Sequence, residues 1–296
     1  QQVKNTCMLL EEWFEDRRLY HIIGFLVQQG VAVAELFALS QGLPKSQFEQ
    51  RLRQRVFMQL TGSPLPQPAT RDAITDALSP FLAGLDYSQR DRSAIRATLL
   101  LFNLASLLQN PQSNVRFQFD SFKNGEWDIE HVRSIASSRP LRLHDQLSWL
   151  NLCAGYLEAL RPEEKAGLAT QLLTSIQAFI KQSKKAHSDE AFEALYNKLL
   201  AFFQETDEAP TDHRICNLAL LDKATNRSYK NAVFAVKRKA LLALDQSGIF
   251  VPLCTRNVFL KCYSPQADNV MVWSKDDRDA YQAEINRALV GFFSAT

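Results

Sequence analysis

The sequence lacks several features that would place it in a specialised structural class. Its five cysteines are odd in number and form no Cys-x-x-Cys pair, so neither a disulfide framework nor a zinc ribbon is indicated. No apolar run reaches the roughly 18 residues of a transmembrane helix, and no signal peptide is recognisable. We therefore expect reduced thiols, no membrane association and a cytoplasmic location.

Glycine and net charge are also scarce. The 296 residues include 10 glycines and carry a net charge of +2, whereas 46% of them are hydrophobic and 19 are phenylalanine. This composition excludes a fibrous or disordered chain and predicts one large or two medium globular domains. With so little net charge, a surface that binds nucleic acid must come from local clustering of basic residues.

Apolar residues recur at helical spacing over most of the chain. Helices are predicted at 6–39, 46–60, 70–84, 88–108, 143–160, 163–182, 188–205 and 229–244, and from 274 onward. Alternating or apolar runs predict strands at 115–119, 127–132 and 215–221, and a β-like or extended segment at 249–263. The interpretation is a helical domain over 1–110 and a second domain over 111–296 that contains a helical insertion at about 141–210.

A short acidic run ends in a histidine at the close of the second predicted strand. Asp128, Glu130 and His131 form this run, and Asn217 and Asn226 follow far downstream, before a helix. Strand geometry points His131 away from the two carboxylates, but local twist at the strand end would let a carboxylate and the next imidazole flank one pocket. Phosphodiester hydrolysis needs a general base and a group that absorbs charge, and Mg²⁺ accepts carboxylate and amide oxygens.

These motifs resemble those of the His-Asn-His (HNH) endonucleases. The nine-residue spacing from Asn217 to Asn226 is similar to the Asn-x8-Asn stretch of the HNH domains in RNA-guided DNA nucleases. The whole order of motifs, at 129–131, 217–221, 226–231 and 234–238, is more similar still to the C-terminal nuclease region of GmrSD-like restriction proteins. The resemblance implies a mainly α fold: a helical bundle with an embedded ββα-metal (HNH) finger, interrupted by the helical insertion.

The resemblance also implies a role for each matched residue. His131 would be the general base, and Asn217 would brace the turn or orient the base. Glu130 and Asn226 would bind Mg²⁺ or Mn²⁺, with Asp128 as a second acidic contributor and Asn226 as part of the catalytic set. The basic residues that would meet DNA phosphates are Lys230, Lys237, Arg238 and Lys261.

The predicted function is divalent-metal-dependent cleavage of DNA by the effector part of a bacterial anti-phage restriction protein. Such proteins usually carry a ParB-like nucleotide-handling domain, and its motif is missing here, so we expect that domain upstream of Gln1. Two observations keep an alternative open, a non-catalytic helical module that binds nucleic acid or a protein: the acid before His131 is Glu130 rather than Asp, and the net charge is only +2. The 86 positions between His131 and Asn217 are a second departure from the family pattern.

Two other histidines carry their own expectations. His21 lies beside an aromatic residue on a predicted helix and is interpreted as a hydrogen-bonded core or boundary residue. His213 lies in polar surroundings and is interpreted as exposed, although it is close enough in sequence to Asn217 to approach the site.

Overall fold

The structure is a computed structural model that describes residues 2–89, 91–122, 127–134, 139–160, 167–182, 187–205, 212–223, 232–265 and 267–294. Most of these residues are helical, which confirms the predicted mainly α class. Before the first strand lie helices α1 (Gln2–Glu15), α2 (Arg17–Gln28), α3 (Val33–Ser40), α4 (Lys45–Thr61), α5 (Arg71–Ala83), α6 (Arg92–Leu108) and α7 (Phe119–Phe122). The remaining elements are β1 (Trp127–His131), α8 (Leu143–Glu158), α9 (Leu168–Lys181), α10 (Asp189–Phe202), β2 (Leu218–Asp222), α11 (Phe234–Gln246), α12 (Leu253–Phe259) and α13 (Lys275–Ser294).

Side-chain caps set the starts of two helices that border the sites described below. The Asp16 carboxylate accepts the backbone N–H groups of Arg18 and Leu19 at 2.8 and 2.9 Å, which begins α2. At α13, the Asp277 N–H donates to Ser274 Oγ (3.2 Å) and the Ser274 N–H donates to the Asp277 carboxylate (2.7 Å). This reciprocal pair is a capping box, and it confirms the helix start predicted at 274.

β1 and β2 form a two-stranded antiparallel sheet in the described part of the chain. Glu130 pairs with Ala219 and His131 with Leu218. Helices α8 to α10 lie between the two strands in sequence, and the strands still pair. α11 follows β2, but 224–231 between them lie outside the described residues, so the ββα-metal finger stays a prediction.

Two hydrophobic cores divide the molecule. The larger core runs from Trp13 on α1 to Phe293 on α13 and includes both strands and α6. The smaller core belongs to α8, α9 and α10 and is joined by residues 232–236 at the start of α11. The first 110 residues thus share one core with the sheet and α13, while the helical insertion packs as its own layer. The domain boundary at 110 stays a prediction.

The strand predicted at 115–119 is wrong. Residues 113–118 have no regular structure and Phe119 begins α7. Side chains of α2 take the backbone groups that a partner strand would otherwise pair: Tyr20 Oη donates to the Phe117 carbonyl (2.9 Å), and Arg17 Nε donates to the Val115 carbonyl (3.1 Å). The alternating phenylalanines therefore pack against a helix rather than in a sheet.

The β-like segment predicted at 249–263 is also wrong, because α12 occupies Leu253–Phe259. Pro252 precedes its first residue, and the buried side chains Cys254, Val258 and Phe259 fall on one helical face. Thr255 Oγ1 donates to the Leu220 carbonyl at 2.7 Å and ties the helix to β2. Tertiary packing has overridden a composition that favours strands.

His21 is fully buried in α2 and has a hydrogen bond at each ring nitrogen, as predicted. The Phe117 N–H donates to Nε2 (3.0 Å), so Nε2 is unprotonated and Nδ1–H donates to the Arg17 carbonyl (2.6 Å). Burial lowers the pKa of His21 to about 4. The structure therefore holds this ring neutral.

We expect His21 to make the fold sensitive to acid. The unfolded chain binds a proton at this ring below a pKa of about 6.5 and the native chain only below about 4, so stability is lost as pH falls between these values. The difference between the two pKa values corresponds to about 3 kcal/mol. The free energy of unfolding, measured with urea at several values between pH 7 and pH 4, should fall less steeply for His21→Gln than for the wild type. His144→Gln, at an exposed histidine, is the control, and an unchanged slope for His21→Gln would contradict the assignment.

All five thiols are free, with Cys7 and Cys262 exposed and the other three buried. Among the helices of the described ranges, none is both long and apolar enough to cross a lipid bilayer.

Candidate active site

Asn217 ties together the two chain segments that form the candidate site. Its side chain is buried and makes three hydrogen bonds: Oδ1 accepts the Arg133 N–H (2.9 Å), and Nδ2 donates to the carbonyls of Arg133 (3.2 Å) and Asp212 (2.9 Å). Its own carbonyl accepts the Val132 N–H at 2.8 Å. One amide thus holds the backbone that follows His131 against the backbone that precedes His213.

The imidazole rings of His131 and His213 are direct neighbours. His131 Nε2 lies 3.2 Å from His213 Nδ1. Among the described residues, no hydrogen-bond partner is found for His131 Nδ1. His213 is half-buried rather than exposed, which corrects the expectation for this residue, and it brings a second imidazole to the site.

A third segment brings Tyr87 to the same place. The Tyr87 N–H donates to the His213 carbonyl (3.0 Å), and Asp86 forms an isolated antiparallel bridge with Arg214. The Tyr87 ring lies edge-on to the His131 ring, with centroids 5.0 Å apart, and the Arg92 guanidinium stacks on it at 4.7 Å. The site is therefore enclosed by residues that precede α6, by the end of β1 and by residues that precede β2.

Two ionised carboxylates border the histidine pair. Burial alone would raise the pKa of Asp212, but the hydrogen bonds and charge of Arg214 and the charge of Arg278 outweigh it and hold that pKa below its usual value. Hydrogen bonds from Ser88 lower the pKa of Asp86. Both carboxylates favour a positive charge on His131.

Burial lowers the pKa of His131 to about 3, with the charges of Lys237 and His213 acting in the same direction. The ring is therefore neutral at neutral pH and has a nitrogen that can accept a proton. An anion held beside the ring favours the imidazolium and raises this pKa toward the value of an effective base.

Glu130 has a different partner from its neighbour His131. The Lys237 ammonium on α11 donates to Glu130 Oε1 and to the His131 carbonyl (2.7 Å), and it is 4% exposed. The prediction that the Glu130 carboxylate and the His131 imidazole flank one pocket is therefore not met in this structure. The Glu130 carboxylate faces a buried cation of α11, while the imidazole faces His213 and Tyr87, because neighbouring side chains of a strand alternate.

A second buried carboxylate supports the start of α11. Glu205 accepts the Phe234 N–H at 2.6 Å, and burial raises its pKa to about 7. The segment that follows α10 thereby caps the helix that carries Lys237. No sequence pattern indicated this contact, because it joins two segments 29 positions apart.

The residues predicted to bind a metal ion are not assembled in the described part of the chain. That part contains no cluster of three or more His, Cys, Asp or Glu side chains arranged to hold a metal. The Glu130 carboxylate is neutralised by Lys237, and Asp128 Oδ1 accepts the N–H of Ile129 (2.9 Å). Asn226, the third predicted ligand, lies outside the described residues.

The residues predicted to bind DNA differ in their surroundings. Lys261 is 1% exposed, pairs with Asp277 at 2.9 Å and donates to the Asn269 carbonyl, and Lys237 is committed to Glu130. Neither ammonium group faces solvent, so neither is available to a phosphate in this conformation. Arg238 is half-buried, and its Nε has no partner within the described ranges. Lys230 lies outside them.

Comparison with known protein families finds similarity over one part of the chain. Residues 182–282 match the family model of the GmrSD restriction endonucleases, C-terminal domain, which confirms the resemblance predicted from the motifs. The matched segment contains His213, Asn217, Lys237 and Lys261, whereas β1 with Glu130 and His131 precedes it. No curated protein and no solved structure shows significant similarity to the chain.

The sequence indicated only part of this site. The position of His213, four residues before Asn217, indicated that it could approach the site, but not that it contacts His131. Asp86 and Tyr87 lie between α5 and α6 in a stretch without a motif, and their backbone contacts with His213 and Arg214 bring them to His131.

Proposed function

We propose that the protein is an endonuclease that hydrolyses DNA phosphodiester bonds with His131 as the general base. The observation that carries the proposal is the neutral His131 ring, held 3.2 Å from His213 on a backbone braced by Asn217. The match of residues 182–282 to restriction endonucleases supports the reaction class.

The chain's own residues account for the proton transfer. For His131 Nδ1 to take a proton from water, Nε2–H must donate to His213 Nδ1, which defines the tautomer of both rings. The imidazolium that forms then keeps its hydrogen bond to His213 and lies in the field of Asp86 and Asp212. His213 acts through His131 and is a positioning residue.

The proposal retains Mg²⁺ or Mn²⁺ as the cofactor, with Glu130, Asp128 and Asn226 as the expected ligands. Glu130 could serve only after Lys237 releases it, since the two are paired. Arg238 and Lys230 remain the proposed phosphate contacts on the α11 side. A ParB-like domain on the same protein and a role in bacterial defence, in the cytoplasm, belong to the same proposal.

One observation favours a different function. The Glu130–Lys237 pair and the incomplete ligand set within the described ranges are also what a degenerate HNH pocket would show. The alternative is a non-catalytic helical module that binds nucleic acid or a partner.

Metal removal separates the two functions. With supercoiled plasmid and an excess of protein, we expect nicking or linearisation in Mg²⁺ or Mn²⁺ and none in excess EDTA, because hydrolysis at neutral pH needs charge stabilisation at the phosphate. Adding Mg²⁺ beyond the EDTA should restore cleavage. DNA that is bound but intact with every divalent cation would support the non-catalytic module instead.

A further inference from the structure

A strongly basic cavity lies away from the candidate active site. It has a volume of about 640 Å³ and borders the first turns of α2 and α5, the end of α6 and the end of α13. One carboxylate, that of Asp16, lines it, together with the five arginines Arg17, Arg18, Arg53, Arg71 and Arg287. A cavity of this size accommodates several phosphate or sugar groups.

The carboxylates nearby pair with only some of these arginines. Asp16 pairs with Lys45 at 2.7 Å and caps α2. Glu49 pairs with Arg53 at 2.7 Å and reaches Arg18 only at 3.8 Å, and Glu284 holds Arg287 at 2.6 Å. These contacts leave the cavity with a positive charge on the remaining arginines.

Arg17 is a fixed cation in the cavity wall. Its guanidinium donates to the carbonyls of Leu107, Asn110 (2.9 Å) and Val115 (3.1 Å), and the structure gives it no carboxylate partner in the described part of the chain. Carbonyl oxygens set its position and leave its positive charge in place. Arg71 is exposed and, within the same part, has no ion pair.

The positions of these arginines are unfavourable for the protein alone. Arg17 and Arg18 are the first two residues of α2, and Arg71 is the first residue of α5. A helix N-terminus carries partial positive charge, so cations in the first turn are destabilising and anions are stabilising. Three arginines thus lie at two helix N-termini around one cavity, and an anionic ligand bound there would offset their unfavourable charge.

The cavity is continued by a second one, of about 380 Å³, that shares Arg18 and Arg53. Its lining also includes the Arg53 partner Glu49, three glutamines and the apolar side chains of Leu65 and Phe293. The two cavities share two arginines, so together they offer space for more than one phosphate group. Helix α6 connects it to the candidate site: Arg92 at its first residue stacks on Tyr87, and Ala105 and Leu108 at its last turn line the cavity. The helix is about 24 Å long, a distance equal to about seven base pairs of B-form DNA.

We propose that this arginine cavity is a second DNA contact, which binds the phosphate backbone about seven base pairs from the scissile phosphate. The inference rests on the proposed function in one respect, since that function makes DNA the expected polyanion. It would explain how a chain with a net charge of only +2 holds nucleic acid. The site contacts phosphates and does not recognise base sequence.

The test measures DNA binding in EDTA, where cleavage plays no part, so its outcome is independent of whether the protein is a nuclease. Fluorescence anisotropy with a 24-base-pair duplex gives the dissociation constant over a series of salt concentrations for the full chain. The test variant is Arg18→Gln/Arg71→Gln, which spares Arg17 with its three backbone contacts. The matched control is Arg51→Gln/Arg142→Gln, which removes the same charge from two exposed arginines elsewhere.

We expect the test variant to bind roughly 10- to 100-fold more weakly at low salt, because two charge-assisted contacts are lost. Its slope of log affinity against log salt should fall by about 2, while the control keeps both values and all three proteins melt alike. Equal weakening in the control, or unchanged binding in the test variant, would overturn the proposal. Calorimetry with ATP gives a second outcome that would overturn the proposal. If the wild type binds ATP, and the test variant loses ATP binding but keeps its DNA affinity, the natural anion of the cavity is a free nucleotide.

Discussion

Replacing His131 with alanine should lower the rate of DNA cleavage by about 10²- to 10⁴-fold, the usual loss when a general base is removed. The ring is neutral at neutral pH because burial lowers its pKa to about 3, so it is in the form that accepts a proton. DNA affinity measured in EDTA should stay nearly unchanged, since the side chain carries no charge that a phosphate would need. Single-turnover cleavage of a plasmid at saturating protein measures the loss.

The controls for this experiment are available in the chain. His131→Gln keeps most of the volume beside Tyr87, so a fall in melting temperature for the alanine variant alone would separate packing from catalysis. His144→Ala removes an exposed histidine on α8 and should cleave like the wild type. Wild-type cleavage by both His131 variants would remove this residue from the mechanism.

His213 should affect the same reaction through its hydrogen bond to His131. His213→Ala removes the acceptor that orients the base, whereas His213→Asn offers a carbonyl oxygen near the position of Nδ1. We expect the asparagine variant to retain more activity than the alanine variant, with equal melting temperatures. Equal losses in both variants would mean that the 3.2 Å contact does not orient the base.

Replacing Lys237 with methionine should destabilise the fold by about 3–5 kcal/mol, because it leaves the Glu130 carboxylate in a site of low exposure without its counter-charge. The two side chains are 4% and 13% exposed, so little solvent is available to replace the ammonium group. Urea unfolding at pH 7 measures the change. Lys239→Met, on the same helix but at an exposed lysine bonded to the Gly155 carbonyl, should lose less than about 1 kcal/mol.

A double variant shows whether the effect comes from the pair. Glu130→Gln/Lys237→Met removes both charges and should recover most of the lost stability, since the penalty arises from one unpaired buried charge. If Lys237→Met alone unfolds at the wild-type urea concentration, Glu130 is hydrated and the pair is unimportant for stability.

The same two variants test Glu130 as a metal ligand. Without Lys237 the carboxylate is free to bind a cation, so millimolar Mg²⁺ should raise the unfolding midpoint of Lys237→Met. It should not raise that of Glu130→Gln/Lys237→Met, which lacks the carboxylate. An equal shift in both proteins would assign the cation to other residues.

Much of the helical architecture could be predicted because apolar residues recur at helical spacing and because caps such as Ser274 mark where helices begin. The strands at β1 and β2 were also predicted, since β1 alternates apolar and charged residues and β2 is a short apolar run. The predictions failed at 115–119 and 249–263. There, side chains of α2 and the tie between Thr255 and Leu220 decide the backbone, and local composition does not contain those contacts.

By itself, the sequence determined the mainly helical class, the positions of the two strands and the motifs that resemble GmrSD proteins, because each depends on residues close together in the chain. The tertiary structure alone decided how the site is composed. It places His213 and Tyr87 beside His131 and pairs Glu130 with Lys237. It also gathered five arginines from α2, α4, α5 and α13 around one cavity. These groups are separated by tens to hundreds of positions in sequence, and only the packing of helices around the sheet sets the distances between them.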